Sequence, residues 1–257
     1  MRRFLIVVFL FGIITMALSA GHAAAQDFSV FSDFQADTPG SPPATGGADQ
    51  PTGIIGINVQ VQSSACGIAT QPVQASDVDC SASELYFGGI YYDLPAPVTD
   101  DVLRVEATVA INQLTNGVFF DTSTDYYGSA VARLILKDNG NIVDQFGVVL
   151  SSYVANTPMR FRADIDMVSK TWACTIDDEL NGFEDDPVMS GLAFVNDPGT
   201  ISQVGTVWFD LFGSFNKFTC SPPRTVAFDD LLMFTPAPFF ADGFETSDTS
   251  NWSSTTP

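Results

Sequence analysis

Apolar and polar residues alternate in short runs along most of the chain, and Gly, Pro, Asn or Asp punctuate the runs. Val102-Leu103-Arg104-Val105-Glu106-Ala107-Thr108-Val109-Ala110-Ile111 is the clearest case. A two-residue period sends successive side chains to opposite faces of an extended backbone, and β-branched residues fit that pleated surface. Beyond the N-terminal leader, hardly any window sustains the 3.6-residue period of a helix. A chain patterned this way buries its apolar faces by stacking sheets. The expected fold is all-β, a two-sheet antiparallel jelly-roll sandwich of roughly ten to fourteen short strands.

Individual segments carry the pattern unequally. Residues 28–34 and 54–61 alternate, and 37–53 is a loop rich in Pro, Gly and small polar residues. The stretch from Cys66 to Cys80 is polar and reads as a loop. Residues 85–92 are aromatic-rich, and Pro95 and Pro97 interrupt the strand pattern beyond them. Ser129 to Lys137 and Ile142 to Leu150 flank Asp138-Asn139-Gly140-Asn141, where Asn-Gly supplies the positive φ angles of a hairpin turn. Residues 159–168 and 171–176 form another expected strand pair, and 207–212 and 225–234 complete the set.

The leader has three zones. Arg2 and Arg3 precede the apolar run Phe4 to Leu18, and a small-residue zone ends in Ala23-Ala24-Ala25. That order marks a secretory signal peptide over 1–25, a helix preceding the fold, with a mature start near Gln26. A spanning helix needs about 20 apolar residues. This run is shorter, so no integral membrane span is expected after cleavage. The first cysteine is Cys66, which leaves no thiol for lipid attachment at the cleavage site. The expected organisation is signal peptide 1–25, sandwich 26–238 and polar tail 239–257, in a secreted or cell-surface protein.

Charge and one absence narrow the chemistry. The sequence holds 30 acidic and 10 basic residues, a net charge of −20, and cleavage removes two further basic residues and no acid. Such a surface repels phosphates and anionic lipid heads, so nucleic acid is not an expected partner. The single histidine is His22, inside the leader. A mature chain without His has no Ser-His-Asp or Cys-His machinery and no His-ligated metal. Four cysteines in an exported chain predict two disulfides. Three pairings are open; Cys66–Cys80 with Cys174–Cys220 is the favoured one.

Three places resemble the laminin-G-like and concanavalin A-like jelly rolls of exported proteins. They are Ser32-Asp33-Phe34-Gln35 after the opening strand, the stretch Arg160-Phe161-Arg162-Ala163-Asp164-Ile165-Asp166 followed by Trp172 to Asp177, and the closing Val226-Ala227-Phe228-Asp229-Asp230-Leu231-Leu232-Met233. The resemblance implies first and last strands side by side. It also implies a structural calcium ion held by Asp230 and Asp229 with Gln35, which stands where the family often has Glu, helped by the backbone of residues 37–40. Calcium takes six to eight oxygens. The tail, with Ala241-Asp242-Gly243-Phe244-Glu245 and Asn251-Trp252-Ser253, is similar to a short C-terminal segment of diverse exported bacterial proteins; a sorting or attachment signal is one reading of it and a disordered end the other.

Other motifs are weaker. Asp177-Asp178-Glu179-Leu180-Asn181-Gly182 imitates a calcium loop, but Val188 stands where the bidentate Glu belongs, so a turn is expected. Asp164 and Asp166 share a strand face as a glycosidase pair would, yet Arg160 and Arg162 share it too, which predicts a charged outer face rather than catalysis. Glycan binding is the expected function, with Tyr126 and Tyr127 the loop aromatics offered to a ligand. A structural or adhesive surface protein is the alternative, and a glycan-active hydrolase comes third.

Overall fold

The computed structural model describes residues 29–44, 57–77, 89–125, 128–212 and 224–236. The expected signal peptide and the tail lie outside the described residues. The described residues form fourteen strands: β1 (Ser29–Ser32), β2 (Ile57–Val61), β3 (Val73–Asp77), β4 (Gly89–Val98), β5 (Val102–Ile111), β6 (Gly117–Ser123), β7 (Ala130–Leu136), β8 (Asn141–Val143), β9 (Val149–Ser152), β10 (Met159–Asp166), β11 (Thr171–Asp177), β12 (Met189–Ala193), β13 (Val204–Phe212) and β14 (Thr225–Phe234). None of the described residues is helical, and no helix there is long and apolar enough to cross a membrane.

Two antiparallel sheets stack to form the sandwich. One runs β12-β11-β10-β5-β14-β3-β2 with β1 also on β14; the other runs β4-β13-β6-β7-β8-β9. Between them lies a continuous apolar core that includes Phe119, Phe120, Phe161, Phe209 and Phe228. The Phe161 ring meets Phe119 at 5.7 Å edge-on and Phe120 at 4.9 Å. Aromatic pairs of this kind add about 0.5–1.5 kcal/mol each beyond their burial. Two consecutive phenylalanines face inward because β6 carries register shifts on either side of Phe120 and Asp121 against β7. A bulge re-aims the side chains beyond it.

β14 organises the larger sheet. Its first half pairs with β3, Phe228 opposite Val73, and its second half pairs with β1, Leu231 opposite Ser32. On its other edge, β14 pairs with β5 through a shift between Asp229 and Leu232. The opening and closing strands therefore lie side by side, as the resemblance implies.

Several segments depart from the sequence reading. The stretch from Cys66 toward Cys80 contains β3 and the Ala65–Ile68 bridge. Its polar Val73-Gln74-Ala75-Ser76-Asp77 pairs on both edges, where ladder hydrogen bonds outweigh weak propensity. β4 runs through Pro95 and Pro97 because it is the sheet's edge and its register jumps from Asp93–Thr206 to Val98–Val204. Proline is tolerated at edges and bulges, where no ladder N–H is demanded. The return strand after the Asn-Gly turn breaks in two: Asp144 accepts from the N–H groups of Phe146 and Val148, at 2.9 and 2.8 Å, and folds the chain between β8 and β9. The Asp177 stretch is a turn, but Asp177 is buried; its carboxylate accepts from the N–H groups of Asn181 and Gly182.

Candidate ligand-binding face

The outward face of the six-stranded sheet carries one transverse row of side chains. Register places Tyr91 opposite Trp208, Trp208 opposite Asp121, and Asp121 opposite Arg133. Four strands thus align two aromatics, a carboxylate and a guanidinium. The rings of Tyr91 and Trp208 lie 4.9 Å apart, tilted by 31°. Trp208 is only 6% exposed and donates its indole N–H to Ser123 Oγ at 3.2 Å. It is the fixed base; Tyr91 and Arg133 are half-buried and carry the accessible surface. Alongside, Thr206 donates to Asp93 Oδ1 at 2.9 Å, and Asp93 is exposed.

Asp121 is the unusual member. Both Arg133 Nε, at 2.9 Å, and Arg133 Nη2 reach its Oδ2. Its Oδ1 is buried without a hydrogen-bond partner. Burial pushes its carboxyl up to about 6, against the pull of Arg133 and the Thr122 N–H.

The outward face of the larger sheet is built differently. Arg160, Arg162, Asp164 and Asp166 all point outward along β10. Arg104 grips Asp164 with two bonds, of 2.6 and 2.9 Å. Glu106 accepts from Arg162 at 2.8 Å and Arg160 at 3.3 Å, and both guanidinium groups lie over the Phe183 ring. Burial raises the Asp166 carboxyl, but the N–H groups of Ser169 and Val168 outweigh it and hold it below the usual range. An open groove of about 690 Å³ includes Asp101, Arg104, Asp164, Thr171, Ser190 and Pro236 in its wall. Its paired carboxylates are committed to Arg104 and to backbone. They are arranged as a structural charge ladder.

Of the residues expected at a calcium site, Asp229 and Asp230 sit at the β14 bulge, and both Asp229 oxygens are engaged. Asp229 is fully buried; Thr70 Oγ1 donates to its Oδ2 at 2.5 Å and the Asp230 N–H to its Oδ1 at 3.0 Å. Burial raises its carboxyl above the ordinary range, partly offset by Thr70. Asp230 is exposed at φ 51° and accepts from Thr108 at 3.5 Å. Gln35 is exposed, and its amide bonds the Asp33 carbonyl at 2.9 Å. Among the described residues no three acidic, Cys or His side chains could hold a metal together. Asp229, Asp230 and Gln35 are not assembled among the described residues as a ready-made ligand cluster.

Tyr126 and Tyr127 lie outside the described residues, as do Cys80 and Cys220. Cys66 and Cys174 are free thiols, so no disulfide joins described residues. Cys174 sits in the core opposite Ala163, whereas Cys66 packs with Ile68, Ala110 and Ala227 in a separate small cluster. Sequence reading did not single out Trp208, Tyr91, Asp121 and Arg133 as one group; only strand register brings them together.

No family model matches the chain, and no curated protein does. Solved structures do. A sialidase aligns with 79% of this chain at 11% identity and a TM-score of 0.55, the match spanning 18% of the sialidase. The PL-14 alginate lyase from Aplysia kurodai aligns with 81% of this chain and 98% of its own, at 12% identity and a TM-score of 0.52. Lectin UEA-II, solved with galactose, aligns over 81% and 98% at 10% identity and a TM-score of 0.51. At such identities the likeness is one of architecture. Strand order, sandwich layering and these neighbours together make the chain a concanavalin A-like jelly roll.

Proposed function

We propose that this protein is an extracellular binding module for neutral carbohydrate, and that the ligand meets the half-buried Tyr91 and Arg133 of the Tyr91–Trp208–Asp121–Arg133 row. The tilted contact of Tyr91 with Trp208 is the observation that carries the reading. A sugar ring presents C–H groups to an aromatic face and hydroxyls to its rim. Trp208 holds Tyr91 in place, and Asp93, Thr206 and Arg133 supply polar groups beside it. The Arg133 charge is matched by Asp121, and the chain's net charge is −20. Both features favour a neutral glycan over a sulfated or uronic one. The galactose carried by one architectural neighbour is in keeping with this class of ligand. The signal peptide expected over 1–25 supports a module that works outside the cell.

A glycan array of neutral and acidic oligosaccharides tests the proposal. Binding to neutral members is expected, and Tyr91→Ala is expected to weaken it about tenfold, the upper end of what one aromatic stack contributes. Silence across the array would favour a structural or adhesive role. Binding that Tyr91→Ala leaves unchanged would place the site elsewhere.

A further inference from the structure

We propose that the carboxamide of Gln71 takes the place of a divalent cation at the junction of the opening and closing strands, which makes this sandwich independent of calcium. The junction is a gap. β3 leaves β14 at Val73–Phe228 and β1 takes over at Ser32–Leu231, so the two strands do not meet along that edge. The chain after β1 turns sharply there, with Phe34 at φ 55°, and its carbonyls crowd the opening. Gln71 reaches in from just before β3. Its Nε2 donates to the Phe34 carbonyl and to the Asp37 carbonyl, both at 2.6 Å.

One amide group carries two N–H donors, so a single side chain satisfies two carbonyls that would otherwise repel each other. The Phe34 oxygen also accepts from the Asp37 N–H at 3.0 Å, so both of its lone pairs are used. Nε2 is the amide atom turned toward the two carbonyls. Were Oε1 turned inward, three oxygens would face one another and a cation would be needed between them. With Nε2 inward the cluster is neutralised by hydrogen bonds alone. The neighbouring Thr70 donates to Asp229 of β14. Consecutive residues Thr70 and Gln71 therefore tie β14 and the loop after β1 to the start of β3.

Thermal melts of the full chain in excess calcium and in chelator test this directly. Superimposable melts are expected for the wild-type protein, and a calcium-raised melting temperature would overturn the proposal. Gln71→Ala is expected to melt several degrees lower, equally in both conditions; an unchanged melt would also overturn it. Gln71→Glu exchanges the donor for a carboxylate beside the same two carbonyls. It is expected to be weakened in chelator and restored by calcium, and failure of calcium to raise its melt would mean that the amide does not stand where a cation could. If either variant does not accumulate folded, hydrogen exchange of the wild-type Asp37 amide, with and without calcium, decides the question: equal protection is expected, and calcium-dependent protection overturns the proposal.

Discussion

Asp121 uses its two carboxylate oxygens unequally: Oδ2 is tied to Arg133, and Oδ1 is buried with no donor. The consequence is a pH dependence with a definite sign. Its folded value, about 6, lies above the ordinary 3.8. Between those values the folded state holds a proton that the unfolded state has released. Stability from this group is therefore present below about pH 4 and is lost as pH rises through about 6. Melting temperature against pH should show that fall, and Asp121→Asn should flatten it. The same residue illustrates what sequence can disclose. The charge of Asp121 and the aromatic character of Trp208 are plain in the chain, but their adjacency is set by β13 pairing with β6, strands far apart in sequence. Alternation predicts that a side chain faces outward, not which distant residue stands beside it.

At the level of elements, strands with clean alternation were legible. β5 and β14 occupy the residues that their β-branched pattern marks, and β10 alternates buried and half-buried along its length. β3 and β12 were not. Met189-Ser190-Gly191-Leu192-Ala193 has one buried residue and lies at the sheet edge, so burial imposes little pattern on it. The segment between β2 and β3 is a loop with a definite seat: Ile68 and Cys66 fold onto Ala110 and Ala227. Gly67 makes the seat possible. It sits at φ 94°, and a Cβ there would come within 2.3 Å of the Asn156 carbonyl oxygen. Gly67→Ala should lower stability by about 2 kcal/mol, from the backbone angle and the clash together, as read by denaturant titration.

For the molecule as a whole, cysteine chemistry follows from where strands end. Burial pushes the Cys66 thiol up to about 11, and the Cys174 thiol is raised further within the core. Both should resist a maleimide label until the protein unfolds. Ser76 pairs with Thr225, so the chain departs toward Cys80 and arrives from Cys220 at neighbouring points. Non-reducing peptide mapping should accordingly find Cys80 joined to Cys220. The adjacency of the outermost strands has a mechanical side as well. Ser29 stands opposite Phe234, so both flanking segments leave from one pole. Tension applied through those segments would peel the antiparallel β1–β14 pairs apart one after another, as a zipper opens, instead of shearing them all at once. The fold is built to be held from a single end, and it would yield at low force if pulled between the two.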